Sequence, residues 1–159
     1  MEKIASFTID HLRLLPGIYL SRTDHTPHGD VLTTFDIRLT APNREPAVSA
    51  QALHTIEHLA ATWLRNNPRW RDKTVYWGPM GCGTGSYLIL QGALTPADIA
   101  DTMLQMFAWI AEFDGEIPGA TARDCGNYTF NDLPEARRIA RKFCNVLEHL
   151  SVENTTYPA

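Results

Sequence analysis

Two histidines and a glutamate lie within five consecutive residues, His54-Thr55-Ile56-Glu57-His58. Residues four apart share one face of a helix, so both imidazoles can bind the same cation with Glu57 beside them. A carboxylate next to two metal ligands is suited to moving protons during metal-assisted catalysis. A solvated helix face with incidental histidines accounts for the same residues, because short motifs also occur by chance. The pattern therefore indicates either a metal centre or a polar surface.

Three cysteines add further candidates for chemistry. Cys125 could supply a third ligand, because two imidazoles and a thiolate leave one coordination position open, as in catalytic zinc or ferrous iron sites. Most free cysteines are small buried hydrophobic residues, which is the alternative for Cys125 and our expectation for Cys144. Cys82 lies in a loop with four glycines, where an exposed thiol could act on a bound substrate. The alternative for Cys82 is an inert residue in a tight hairpin.

Four strands and three helices are predicted to position these residues. Residues 31–40 alternate, with Ile37 on one face and Asp36 and Arg38 on the other, which is typical of a half-buried strand. The other strands are predicted over residues 18–22, 74–77 and 87–91, and the helices over 49–66, from 95 to just before 115, and from 132 to about 150. This order indicates an α+β fold, a small antiparallel sheet packed against helices in one domain of residues 1–159. The residues expected in its core include Met103, Met106 and Trp109.

Composition narrows the function classes. The chain has 159 residues, 44% hydrophobic and 20% charged, which argues against intrinsic disorder. Its net charge of -4 argues against nucleic-acid binding, because nucleic-acid-binding proteins carry an excess of basic residues. No apolar run approaches the length of a membrane span, and Asp10 and His11 fall where a signal peptide would be hydrophobic. We therefore expect a soluble cytoplasmic protein, in which three cysteines stay reduced.

With these residues assembled, the chain resembles the S-ribosylhomocysteine lyases of the LuxS type. Six segments match in family order and spacing and together cover nearly the whole chain, which makes the resemblance specific. The segments are Ser6-Phe7-Thr8-Ile9-Asp10-His11, Thr26-Pro27-His28-Gly29-Asp30, Phe35-Asp36-Ile37-Arg38, His54-Thr55-Ile56-Glu57-His58-Leu59, Gly78-Pro79-Met80-Gly81-Cys82 and Cys125-Gly126-Asn127.

The resemblance implies a role for each matching residue. It implies metal ligation by His54, His58 and Cys125, acid–base catalysis by Glu57 and Cys82, and substrate binding by Ser6, His11 and Arg38. It also implies a homodimer with the site at the interface, in which Ser6 and His11 come from the partner subunit. Arg65, farther along the face of His58, is our own candidate for contacting the substrate's carboxylate.

The implied reaction is cleavage of the thioether in S-ribosylhomocysteine. Its products are homocysteine, an intermediate of the methyl cycle, and 4,5-dihydroxy-2,3-pentanedione, the precursor of the quorum-sensing signal autoinducer-2. The implied cofactor is one divalent metal per subunit, ferrous iron, with zinc or cobalt as substitutes. Two positions depart from the family pattern, since Gly83 replaces a long polar residue and Ser86 an aromatic one. Both differences shrink side chains near Cys82 and bear on the rigidity of its loop.

Two other functions fit parts of the sequence. His-x-x-Glu-His is also the inverted zincin motif of metallopeptidases, in which Glu57 would activate water and Glu135 could be the third ligand. That interpretation leaves Cys82 and Cys125 without a role. A metal- or sugar-binding homologue that has lost activity is the non-enzymatic alternative, and the small Gly83 makes it conceivable.

Overall fold

The computed structural model describes residues 1–158, in which three helices pack against one face of a four-stranded antiparallel sheet. This arrangement confirms the predicted α+β fold. The strands are β1 (Gly17–His25), β2 (Val31–Arg38), β3 (Thr74–Pro79) and β4 (Gly85–Gln91), and the helices are α1 (Ala50–Asn66), α2 (Pro96–Glu112) and α3 (Leu133–Leu147). Short 3-10 turns cover Ala5–Phe7 and Val152–Asn154.

The sheet is built from two hairpins joined side by side, in the order β1-β2-β4-β3. The β1–β2 hairpin turns at Gly29, whose φ of 91° lies in the left-handed region that glycine tolerates best. The β3–β4 hairpin turns through the loop that carries Cys82. Pairing of β2 with β4 therefore brings the Cys82 loop to the end of β2, where Arg38 pairs with Gly85.

Local capping interactions define where the three helices start. The Ser49 side chain accepts a hydrogen bond from the amide of Ala52 at the start of α1. Thr95 and Asp98 form a capping box ahead of α2. Asp132 accepts from the amide of Glu135 at the start of α3. Each cap satisfies amides that have no partner within the helix.

The hydrophobic core lies between the inner face of the sheet and the three helices. Ile18, Phe35 and Leu88 from the strands meet Ile56 from α1 and Phe107 from α2, and all five are fully buried. The core holds α1 against β3 and so sets the position of the His54–His58 face. No helix within the described residues is long and apolar enough to cross a bilayer.

Two expectations about burial are wrong. Trp109 is 36% exposed and stacks edge-on against Phe113, because its neighbour Ile110 occupies the inward position on α2. The outer face of β2 is not solvated either, since Asp36 is fully buried and Arg38 is only 3% exposed. Their mutual ion pair and the residues that cover them account for this burial, as described below.

Candidate active site

Three side chains converge between α1 and the loop that precedes α3. The ligand atoms of His54, His58 and Cys125 all lie within 4.8 Å of one another, and each residue is half-buried. The two Nε2 atoms are 3.1 Å apart, and Cys125 Sγ is 3.5 Å from His54 Nε2. Within residues 1–158 this is the one cluster of three or more side chains placed to hold a metal ion.

Backbone carbonyls fix how both imidazoles face this cluster. His54 Nδ1 lies 2.6 Å from the carbonyl oxygen of Phe130, and His58 Nδ1 lies 2.7 Å from that of Pro118. A carbonyl can only accept, so each Nδ1 carries the hydrogen and each Nε2 directs a lone pair at its neighbours. Metal-ligating histidines are oriented in the same way by such partners.

The donor set fits a divalent metal. Two imidazole nitrogens and a sulfur meet at one point, an arrangement that a divalent cation would stabilise. Tetrahedral bonds to nitrogen and sulfur of about 2.0–2.3 Å place the ligand atoms about 3.3–3.6 Å apart, close to the 3.1 and 3.5 Å found here. The amide of Asn127 also donates to Cys125 Sγ at 3.4 Å, which helps to fix the position of the sulfur beside the two imidazoles.

Gly119 shapes the loop that supports His58. Its φ of 71° is left-handed, and it follows directly after Pro118, whose carbonyl accepts from His58. A Cβ at Gly119 would lie 3.4 Å from His58 Nδ1. Any other residue therefore strains the turn by about 1–2 kcal/mol at the point where it orients a ligand.

Gly119→Ala is expected to weaken metal binding by about tenfold, in the range seen when partners behind metal ligands are changed. Gly29→Ala is the matched control, because Gly29 also has a left-handed φ of 91° but a Cβ there meets no atom within 4 Å. Competition of zinc-loaded protein against a chromophoric chelator measures both affinities. Equal affinities for the two variants would show that Gly119 does not orient His58.

Glu57 lies on α1 between the two histidines and is half-buried. No hydrogen bond or ion pair involves its carboxylate among the described residues, so the group is free to exchange protons with a bound molecule. Glu135 is placed differently, since both of its oxygens accept from Arg138 on the first turns of α3. The cluster does not include Glu135, and the metallopeptidase interpretation is therefore not favoured.

Cys82 is exposed at the tip of the β3–β4 hairpin and lines a cavity of about 400 Å³ with Leu53, the residue before His54. Burial alone would raise the pKa of this thiol, but hydrogen bonds from Thr84 and the positive charge of Arg38 outweigh it. The pKa therefore lies below its ordinary value. A larger thiolate fraction at neutral pH suits a group that accepts a proton.

The loop that carries Cys82 is anchored through Gly83. This glycine has a φ of 74°, and a Cβ there would lie 3.1 Å from the carbonyl oxygen of Val48. The Gly83 carbonyl accepts from the amide of Val48 at 2.8 Å, which ties the loop to the segment before α1. The small residue therefore permits a close backbone contact next to Cys82. Ser86 is fully buried, and its hydroxyl has no hydrogen-bond partner in the described part of the chain.

Arg38 and Thr84 connect β2 to the Cys82 loop. Arg38 donates to both oxygens of Asp36, at 3.0 and 2.5 Å, and to Thr84 Oγ1 at 2.7 Å. Thr84 Oγ1 in turn lies 3.1 Å from Cys82 Sγ. The sequence analysis did not identify Asp36 or Thr84 as site residues. Asp36 lies two residues from Arg38 and Thr84 two residues from Cys82, and this spacing could have indicated them.

The three remaining candidates lie outside the metal cluster of this chain. Ser6 lines a groove over the outer face of the sheet that contains none of the metal-ligating residues. His11 Nδ1 lies 2.9 Å from the carbonyl oxygen of Ile9. Arg65 donates to the carbonyl oxygens of Thr74 and Val75, each at 3.2 Å, so β3 occupies part of its guanidinium. Their substrate-binding roles stay predictions.

Fold and site together define an α+β protein in which two histidines and a cysteine could hold a metal ion, with a second, exposed cysteine on the β3–β4 hairpin. The S-ribosylhomocysteinase (LuxS) family model matches residues 4–154. The S-ribosylhomocysteine lyases of Phocaeicola vulgatus and Clostridium acetobutylicum are 57% and 55% identical to the chain over 99% of its length, covering 98% and 99% of theirs. That of Porphyromonas gingivalis is 52% identical, with 99% of both chains covered. The chain belongs to the LuxS family.

Proposed function

We propose that this protein is a metal-dependent lyase that cleaves S-ribosylhomocysteine to homocysteine and 4,5-dihydroxy-2,3-pentanedione. The observation that carries the proposal is the convergence of His54, His58 and Cys125. It occurs in a chain more than half identical to S-ribosylhomocysteine lyases over nearly its full length.

The chemistry of the substrate explains why two proton-transfer groups are needed. The leaving thiolate is on C5, so the carbonyl must first migrate from C1 to C3 before the C4 proton becomes acidic. Each migration removes a proton from one carbon and delivers a proton to its neighbour. A bound divalent metal would act as a Lewis acid on the substrate's oxygens during these shifts.

Cys82 and Glu57 are the groups that we assign to these proton transfers. The lowered pKa of Cys82 favours a thiolate, which can accept a proton from C2 and return it to C1. Glu57 approaches from α1, on the helical face of His54 and His58, and is assigned the later C3 and C4 protons. Two groups on different elements can serve different carbons of one substrate.

Ferrous iron is the metal that we propose, with zinc or cobalt as functional substitutes. Imidazole nitrogen binds all three ions. A single thiolate among the ligands makes the ligand set intermediate between hard and soft. The thiolate ligand and the thiolate base both require reduced cysteines, which supports a cytoplasmic location. In that compartment, homocysteine would return to the methyl cycle and the second product would supply autoinducer-2.

A homodimer is supported by the outer face of the sheet. A groove of about 1110 Å³ crosses this face between β1, β3, β4 and the N-terminal segment that carries Ser6. Apolar side chains that line it are exposed, including Ile4 and Tyr76. A second copy of the chain would cover this surface and could bring its Ser6 and His11 to the neighbouring metal centre.

Mixing His11→Ala with Glu57→Ala protein is expected to restore about a quarter of the unmodified activity. Random exchange makes half of the dimers hybrids, and each hybrid has one site with neither substitution. A mixture of Glu57→Ala with Cys82→Ala is the control and should stay inactive, because both residues belong to one chain's site. If the first mixture is also inactive after proven subunit exchange, each site is built within one chain.

Release of a thiol from S-ribosylhomocysteine tests the proposed activity directly. Anaerobically purified, iron-loaded protein should produce one homocysteine for each substrate consumed, measured with a thiol-reactive chromophore. The inactive binding homologue predicts full metal occupancy with no thiol released. A quenched-peptide assay on the same sample tests the metallopeptidase alternative and should show no cleavage.

A further inference from the structure

Tyr157, which follows the last 3-10 turn, lies on the outer face of the sheet. Its ring stacks on that of Tyr19, with centroids 4.9 Å apart and planes within 2° of parallel. Its hydroxyl donates to Asp36 Oδ2 at 2.9 Å. Tyr19 and Asp36 are paired neighbours on β1 and β2, and both are fully buried. The residue thus covers a buried carboxylate that would otherwise face solvent.

A continuous set of contacts leads from this carboxylate to the Cys82 thiol. Asp36 accepts from two nitrogens of Arg38, whose third contact is Thr84 Oγ1 at 2.7 Å. Thr84 Oγ1 is 3.1 Å from Cys82 Sγ. Asp36 Oδ2 accepts from both Arg38 and Tyr157, so the Tyr157 hydroxyl helps to fix the rotation of the carboxylate that holds the guanidinium.

We propose that Tyr157 is a positioning residue for Cys82, acting through Asp36, Arg38 and Thr84. The inference rests on the proposed function, because the role of Cys82 in proton transfer gives this positioning its purpose. Tyr157 does not need to touch substrate or metal. Tyr157 lies 121 positions from Asp36 in the chain and helps to support the active site.

The hydroxyl of Tyr157 is suited to a permanent donor role. Burial, followed by the negative charge of Asp36 and the hydrogen bond to it, raises the pKa of Tyr157 far above its ordinary value. The phenol therefore stays protonated at neutral pH and continues to donate. Removing it leaves a buried carboxylate oxygen with one partner fewer, a change that the Asp36–Arg38 pair must accommodate by moving or by admitting water.

The sign of the effect on Cys82 follows from the charges. Without the hydroxyl, the Asp36 carboxylate holds Arg38 less firmly in place beside the thiol, and the positive field at the thiol falls. A looser Arg38 also weakens the hold on Thr84, whose hydrogen bond favours the thiolate. Both changes raise the pKa of Cys82 and reduce the thiolate fraction at neutral pH. Tyr19 on β1 and Tyr87 on β4 are the other titratable side chains beside this network, and Tyr157→Phe leaves both of them in place.

Tyr157→Phe tests the proposal, because it removes the hydroxyl and keeps the stacked ring. Tyr19→Phe is the matched control, since its hydroxyl donates to the carbonyl of Leu15 at 2.8 Å and not to Asp36. Zinc-loaded full-length proteins are alkylated with iodoacetamide over a range of pH, and modification is counted on the Cys82 peptide by mass spectrometry. Below the thiol pKa, Tyr157→Phe should react about three- to tenfold more slowly, and the rates should converge at alkaline pH.

Thiol release from S-ribosylhomocysteine should fall by a similar factor in Tyr157→Phe and stay unchanged in Tyr19→Phe. Superimposed alkylation profiles for Tyr157→Phe and the unmodified protein would overturn the proposal, whatever happens to activity. An equal shift in both variants would also overturn it, since only the Tyr157 hydroxyl donates to Asp36 and that hydrogen bond would then not be the cause. If the unmodified protein releases no homocysteine, the proposed function fails, while the alkylation profile still decides whether Tyr157 acts on Cys82.

Discussion

Cys125→Ala is expected to lose most of its bound metal. Cys125 Sγ lies 3.5 Å from His54 Nε2, and its sulfur completes a set that two imidazoles alone would leave with too few ligands. Changes behind metal ligands cost about 10–100-fold in affinity, so loss of a ligand should cost at least about a hundredfold. Elemental analysis after dialysis against a weak chelator measures the occupancy.

Cys144→Ala provides the matched control for this loss. Cys144 is half-buried on α3 and packs against the hydrophobic core, away from the cluster of metal-ligating side chains. It should therefore keep full occupancy while carrying the same chemical change. Full occupancy in Cys125→Ala would remove this cysteine from the ligand set.

Cys82→Ala and Glu57→Gln are each expected to lower turnover by about 10²–10⁴-fold, the usual cost of losing an acid–base group. The two variants should stop at different stages. Cys82→Ala should bind substrate and form no ketone, because the first migration lacks its base. Glu57→Gln should exchange the C2 proton with solvent and release almost no homocysteine. Solvent-deuterium incorporation, followed by NMR of the substrate, distinguishes the stages.

The different approach of the two groups supports this separation. Glu57 comes from α1, while Cys82 comes from the β3–β4 hairpin and lines a cavity that reaches the start of α1. Cys144→Ala controls for general effects of removing a thiol and should exchange and release at the unmodified rates. Homocysteine release by Cys82→Ala near the unmodified rate would leave Glu57 to carry all of the proton transfers.

Much of the fold could be predicted because its determinants are local. Ser49, Thr95 and Asp132 define helix starts through hydrogen bonds to amides three residues away. The alternation of β2 placed Phe35 and Ile37 toward the core. The same alternation failed for the outer face, because burial of Asp36 and Arg38 depends on partners outside the strand.

The candidate site also combines local features, which the sequence predicts, with contacts between distant residues, which it does not. The sequence alone shows that His54, Glu57 and His58 share a helix face, because residues three and four apart lie on the same side of a helix. Cys125 and Cys82 were candidates from their residue type and setting, and the family motifs implied their roles as third ligand and acid–base group. Only the tertiary structure brought Cys125, 71 residues away, to His54.

Tertiary structure also decided the orientation and the electrostatics of the site. The carbonyls of Pro118 and Phe130 select the tautomers of the two histidines, and Tyr157 reaches Asp36 across 121 positions. Such contacts have no periodicity that a sequence pattern could reveal. They form because packing of the core against the sheet places distant backbone segments side by side, where buried polar groups must then find partners.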